Sequence, residues 1–134
     1  MNLDRGPWQA MLAHAYDGLP LEACGLLAGP PGRGAITVFY PCRNAEASSR
    51  IYTVHPQDHL RADRDAEDRG LELIGVVHSH THTDAYPSTT DVRQAVDPTW
   101  AYVIVSLKHG EPVLRSYRIR DGAITEMPVV VGDH

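Results

Sequence analysis

Leu71-Glu72-Leu73-Ile74-Gly75-Val76-Val77-His78-Ser79-His80, followed by Thr81-His82-Thr83-Asp84-Ala85-Tyr86-Pro87 and then Ser88-Thr89-Thr90-Asp91, is the stretch that decides how this chain is read. The apolar run 71–77 has the length of a strand and carries straight into His78-Ser79-His80. Side chains two apart on a strand share a face, so the rings of His78 and His80 point the same way. Ser88-Thr89-Thr90-Asp91 has the pattern of a helix capping box, with Asp91 at the third helical position. Two imidazole nitrogens, one carboxylate oxygen and a fourth position left open form the ligand set of a hydrolytic zinc site. Zinc held in that way lowers the pKa of a water towards about 7 and makes a nucleophile of it. The expected metal ligands are therefore His78, His80 and Asp91.

Working outward, Pro7, Trp8, Met11, Leu12 and Ala15 have helical spacing, and Gly18 suits a stop, which predicts a helix over 7–17. Residues 21–29 form an apolar run closed by Pro30-Pro31-Gly32 and read as a buried strand. Residues 35–40 alternate and predict a second strand, paired to the first through that turn. Residues 41–55 carry no period. Residues 56–69 predict a largely solvated helix, because their charges alternate in sign and Gly70 ends them. After the 71–78 strand come a short helix from Ser88 ending before Pro98, a central strand over 101–107, and strands over 112–119 and 123–130. The last two flank Asp121-Gly122, a strong hairpin turn. The order is helix, two strands, helix, strand, helix, strand, hairpin. It predicts a single α/β domain over residues 1–134, with a mixed sheet and helices on its faces.

Composition narrows the functional classes. A chain of 134 residues, 43% hydrophobic, holds one real core. Its net charge of −5, its single lysine (Lys108) and its scattered arginines argue against a nucleic-acid partner. No run approaches the roughly 20 apolar residues of a membrane helix. The amino terminus carries no signal core. Cys24 and Cys42 are the only cysteines and form no Cys-x-x-Cys pair, which suits a reducing cytoplasm.

Glu22 fits its surroundings least. A carboxylate inside Leu21-Glu22-Ala23-Cys24-Gly25-Leu26-Leu27 is costly to bury without a partner. A water activated by a metal is a suitable partner, for which Glu22 would act as base and then as acid. The bland alternative is an acid exposed at a strand edge. Ser88 reads first as a helix cap; beside a metal its hydroxyl could also donate to a developing oxyanion. Asp91 can serve both the cap and the metal, since a carboxylate has two oxygens. Cys24 shares the Glu22 face but reads as a small buried thiol, as does Cys42. His82 extends the histidine pattern and reads as a group beside the substrate. His14, His55, His59, His109 and His134 receive no chemistry.

Glu22, His78-x-His80, seven residues, Ser88, two residues and Asp91 together resemble the JAMM (MPN-plus) metalloprotease motif at every defining position. The segments Glu22–Pro30, Asn44-Ala45-Glu46, Ala85-Tyr86-Pro87-Ser88 and Leu114–Ile119 are similar to the short actinobacterial members of that family. The resemblance implies a mixed, curved sheet flanked by helices, of the cytidine-deaminase-like kind. It implies a zinc peptidase with ligands His78, His80 and Asp91, Glu22 as acid and base, and Ser88 steadying the tetrahedral intermediate. It further implies, as partner, a ubiquitin-like sulfur carrier protein with a Gly-Gly tail, from which an amino acid is released, cysteine in some of these short members. Arg43, Asn44 and Arg50 are candidates for contacts to that tail. Trimming of a carrier precursor, and a non-catalytic zinc scaffold that binds a carrier, stay open. A zinc nucleobase deaminase would need Pro-Cys-x-x-Cys, which the chain lacks.

Overall fold

The structure is a computed structural model that describes residues 1–132, so His134 lies outside the described residues. In chain order the elements are β1 (Asn2–Asp4), α1 (Arg5–Asp17), β2 (Cys24–Gly29), β3 (Ala35–Ile36), β4 (Val38–Cys42), α2 (Pro56–Asp68) and β5 (Glu72–His80). They continue with α3 (Thr89–Gln94), β6 (Ala101–Ser106), β7 (Val113–Arg120), β8 (Ala123–Met127) and β9 (Val130–Gly132). A six-stranded sheet runs β4-β2-β5-β6-β7-β8, and a three-stranded sheet runs β3-β1-β9. In the larger sheet β5 and β6 are parallel, and the other pairs are antiparallel. The mixed α/β sheet expected from the sequence is the one observed.

Alternation along the central strands sorts the core into two layers. Val76 of β5 and Tyr102 and Ile104 of β6 face α2, packing with Ala62, Leu26 and Tyr117. Val77, Val103 and Val105 face the other way, onto Met11 and Ala15 of α1 and Leu3 of β1. Period two then puts His78 and His80 on the α2 side with Val76. Only Ala62 and Ala66 of α2 are buried, so its charged face is solvated as its charge pattern predicts. Among the described residues no helix is long and apolar enough to cross a membrane.

Several boundaries differ from the sequence reading, each for a local reason. The strand expected over 35–40 is two strands: β3 joins β1, and β4 joins β2. The strand expected over 123–130 breaks at Pro128, which has no N–H to donate to a ladder. Beyond that break β9 pairs in parallel with β1, a three-residue strand too short to show a period. β5 runs on to His80, two residues past the expected end. β2 starts at Cys24, so Glu22 precedes the ladder. The hairpin turn holds as expected, with Asp121 and Gly122 at φ 50° and 79°.

Candidate metal centre

β5 delivers both imidazoles to one point. His78 Nε2 lies 3.1 Å from His80 Nε2. Asp91, at the start of α3, places Oδ2 at 2.9 Å from His80 Nε2 and 3.2 Å from His78 Nε2. All three residues are buried, with exposures of 3%, 3% and 8%. Ligands about 2.0–2.1 Å from a tetrahedral zinc stand about 3.3 Å apart, so the donor triangle matches one face of such a site to within a few tenths of an ångström.

The tautomers support the same conclusion. His80 Nδ1 lies 2.8 Å from the Asp84 carbonyl, an acceptor, so Nδ1 carries the hydrogen and Nε2 presents a lone pair to the cluster. Three such atoms at this spacing suit a shared cation, either a proton or a metal ion. Their proton affinities reflect it. Burial alone would raise the Asp91 carboxyl, but hydrogen bonds with His78 and His80 outweigh it and hold the group far below the carboxylate range. Burial drives His78 down, against the pull of Asp91. Burial also opposes protonation of His80, yet the Asp91 and Asp84 contacts prevail and raise it. His78, His80 and Asp91 have the donor set and spacing to hold a metal ion.

Neighbouring groups hold these ligands in place. The ring of Tyr52 stacks on His78 with centroids 4.2 Å apart and planes at 17°. Ser88 and Asp91 form the expected capping box: Ser88 Oγ accepts from the Asp91 N–H at 3.0 Å, and Asp91 Oδ2 accepts from the Ser88 N–H at 2.9 Å. One oxygen, Oδ2, thus serves both the cap and the cluster, where the sequence suggested a division between two. The loop between β5 and α3 is pinned by Ser106 Oγ, which donates to the Thr83 carbonyl at 2.6 Å, and by Tyr117, whose hydroxyl donates to the Ala85 carbonyl.

Glu22 reaches the cluster from the neighbouring strand's approach. Cys24 pairs with His78 in antiparallel register, and extending that register by two residues sets Glu22 opposite His80 on the same face. Glu22 is 5% exposed, and its Oε1 is buried without a hydrogen-bond partner. Burial, with His80 opposing and Asp91 reinforcing, pushes its carboxyl up to about 7. The edge-acid alternative is therefore wrong: this carboxylate is inside. Ser79, between the two histidines and facing away from them, accepts the Ala23 N–H at 2.8 Å through Oγ and donates its own N–H to the Ala23 carbonyl at 2.9 Å. It thereby locks the Glu22 segment to the ligand strand.

Other expected groups stand apart. Cys24 is buried and its thiol is pushed up to about 12 by burial, as an inert thiol should be. His82 is exposed and outside the cluster. Arg43 is committed to Asp58, with Nη2 at 3.0 Å from Oδ1 and Nε at 3.0 Å from Oδ2. The amide of Asn44 is consumed by bonds within its own loop and to Glu22, so it is not available to a tail. Arg50 is exposed. A cavity of about 680 Å³, lined by Glu72, Ile74, Trp100 and Arg118, lies at the opposite end of β5 from the ligands. Tyr52 and Ser79 escaped the sequence reading, and Asn44, expected at the carrier tail, is instead bonded to the Glu22 carbonyl. Ser79 carried a signal, a polar residue alternating to the apolar face of β5; Tyr52 and Asn44 lie in a stretch without periodicity.

The geometry can now be set beside known proteins. The family model described as prokaryotic homologs of the JAB domain matches residues 5–120. The chain belongs to the JAB-domain family. Its JAB domain is 46% identical over 123 residues to a CysO-cysteine peptidase of Mycobacterium tuberculosis, covering 91% of this chain and 84% of that one. It is 33% identical over 102 residues to a desampylase of Haloferax volcanii, covering 72% and 73% respectively. A protein from Desulfitobacterium hafniense solved in solution superposes on the JAB domain with a TM-score of 0.90 at 34% identity, over 99% of this chain and 93% of that one. The JAMM resemblance drawn from the motif is thus borne out by a family match over residues 5–120, and the JAB domain is a metallopeptidase.

Proposed function

We propose that this JAB domain, as one unit over residues 1–134, is a zinc-dependent peptidase. Its substrate is a ubiquitin-like sulfur carrier protein, cut at the amide bond after the C-terminal Gly-Gly, and the released amino acid is cysteine. The observation that carries the reading is the buried, unpartnered Glu22 oxygen on the same face as the His78, His80 and Asp91 donors. The names of the mycobacterial and haloarchaeal relatives point to carrier conjugates as the substrate class.

His78, His80 and Asp91 would hold the zinc ion, a choice favoured by two nitrogens and one oxygen at tetrahedral spacing. Bound there, zinc supplies Lewis-acid activation of the scissile carbonyl and of the attacking water. Glu22 takes the proton of that water as the new C–O bond forms. A buried carboxylate on the face of the ligands is placed to accept that proton and to return it. Glu22 then delivers the proton to the departing amine nitrogen as the C–N bond breaks, leaving a glycine carboxylate and a free amino acid. Ser88 Oγ already accepts from the Asp91 N–H, so its own hydrogen is available to the oxyanion. Two buried free cysteines suit the reducing cytoplasm in which we place the reaction.

The test uses the zinc-loaded chain and a carrier protein with cysteine amide-linked after Gly-Gly, read by intact mass. The carrier should lose one cysteine residue, and Glu22→Gln should stop that loss. A second arm offers a carrier precursor with extra residues beyond Gly-Gly. Cleavage of the precursor alone would move the reading to precursor trimming. An unchanged mass in both arms would reject peptidase action on carriers, and equal rates for parent and Glu22→Gln would favour a non-catalytic role for the acid.

A further inference from the structure

Glu22 stands outside the β-ladder, because β2 begins two residues later, at Cys24. Its main chain is nevertheless held on both sides by one loop. The Glu22 N–H donates to the Ser48 carbonyl at 2.7 Å. The Glu22 carbonyl accepts from Asn44 Nδ2 at 3.0 Å. The same Nδ2 donates to the Ile51 carbonyl at 3.0 Å, and Asn44 Oδ1 accepts from the N–H groups of Glu46 and Thr53, each at 3.0 Å. An amide side chain offers two hydrogens and two lone pairs, and all four are in use. Its work is therefore internal. The loop also carries a bridge between Asn44 and Val54, and it touches the ligand side where Thr81 Oγ1 donates to the Ser49 carbonyl at 3.2 Å and where Tyr52 stacks on His78.

We infer that Asn44 is a positioning residue for Glu22: its amide fixes the Glu22 peptide plane and through it the placement of the carboxylate beside the metal ligands. This rests on the proton-carrier role proposed above for Glu22. The physical reason is lever-like. A glutamate tip is separated from its backbone by several rotatable bonds, and no hydrogen bond holds Oε1, so the direction of the side chain is set at its base. A displacement of about 1 Å at a reacting group costs about 100-fold in rate.

The experiment compares the parent, Asn44→Ala, Asn44→Asp and Thr53→Ala as zinc-loaded full-length chains, with the carrier–cysteine conjugate as substrate. Asn44→Asp keeps the volume and the acceptor oxygen but loses the donor to Glu22, so it serves if the alanine variant fails to fold. Thr53→Ala removes only the Thr53 Oγ1 bond to Glu46 Oε1, at 3.1 Å in the same loop. Both Asn44 variants should lose about 10- to 100-fold in kcat, with KM and zinc stoichiometry unchanged, while Thr53→Ala keeps the parent rate. Hydrogen exchange gives a readout independent of turnover: in the Asn44 variants the Glu22 amide should lose protection, while the β5 amides keep theirs. In a Glu22→Gln background, Asn44→Asp should leave the slow residual rate, read in long incubations at high enzyme concentration, unchanged, since its effect runs through the acid. The inference is overturned if kcat holds, if the loss appears in KM or zinc content, if the Glu22 amide stays protected, or if the two substitutions multiply. A parent that cleaves nothing sinks the proton-carrier role and this inference together, whereas an active parent with active Asn44 variants sinks this inference alone.

Discussion

Replacing Glu22 by Gln should make the metal-free chain more stable while abolishing its chemistry. The carboxyl rises from 4.5 to about 7 on folding, a rise of about 2.5, with burial as the main cause. At 1.36 kcal/mol per pKa unit, that corresponds to at most about 3.4 kcal/mol of native-state penalty for the ionised form. Relaxation and water entry around an ionised buried group reduce such figures, and about 2 kcal/mol is the working value. The sign follows from proton counts. Below pH 4.5 the carboxyl is protonated in both folded and unfolded chains, and Glu22 costs nothing. Between 4.5 and about 7 the folded chain binds the extra proton, so stability falls as pH rises, and the penalty is complete above that window. Glutamine has the same shape and never ionises. Urea unfolding of the chelator-treated parent and variant should therefore give similar stabilities near pH 4.5, with Glu22→Gln ahead by about 2 kcal/mol at pH 8. Re-adding zinc should shrink the gap, because a nearby dication favours the carboxylate. A variant that is less stable at pH 8, or a difference that does not change with pH, would refute the placement of a buried, unpaired acid here.

Three further outcomes follow from the same geometry. His78→Ala and Asp91→Asn each remove one vertex of the donor triangle and should abolish zinc retention by metal analysis after dialysis, with the fold intact by circular dichroism. Ser88→Ala removes the α3 cap and the oxyanion donor at once: stability should fall by about 1 kcal/mol by urea melt. In the same variant kcat should fall by about 10²-fold. Cys24 and Cys42, with thiols pushed up to about 12 and 11 by burial, should resist a thiol reagent at pH 8 until the chain is unfolded, when both should react; prompt reaction in the folded state would contradict their burial.

The parts of this molecule that sequence made legible are those where chemistry and periodicity coincide. The apolar run before His78 and the two-residue alternation located the ligand strand and its face. The serine–aspartate capping box located the third donor, and an acid in an apolar run located Glu22. What escaped has a common cause. β1, β3 and β9 are two or three residues long and exist because they pair with one another across the length of the chain, information no local window contains. Glu22 was read as part of a strand, yet its backbone bonds to a loop, because Asn44 and Ser48 compete successfully for the partners a ladder would have used. Tyr52 and Asn44 sit in residues 41–55, where side-chain-to-backbone bonds replace regular structure and leave no period to detect.

Asp91 Oδ2 belongs at once to the first turn of α3 and to the donor cluster. Because both uses fix the position of one oxygen through its two lone pairs, occupancy of the site and order in that short helix are thermodynamically linked in both directions. Stripping the ion should loosen Thr89–Gln94, and any contact that braces this helix from outside, such as a docked substrate, should tighten the grip on the ion. A six-residue helix of marginal intrinsic stability then becomes a gauge of whether the enzyme is charged and engaged.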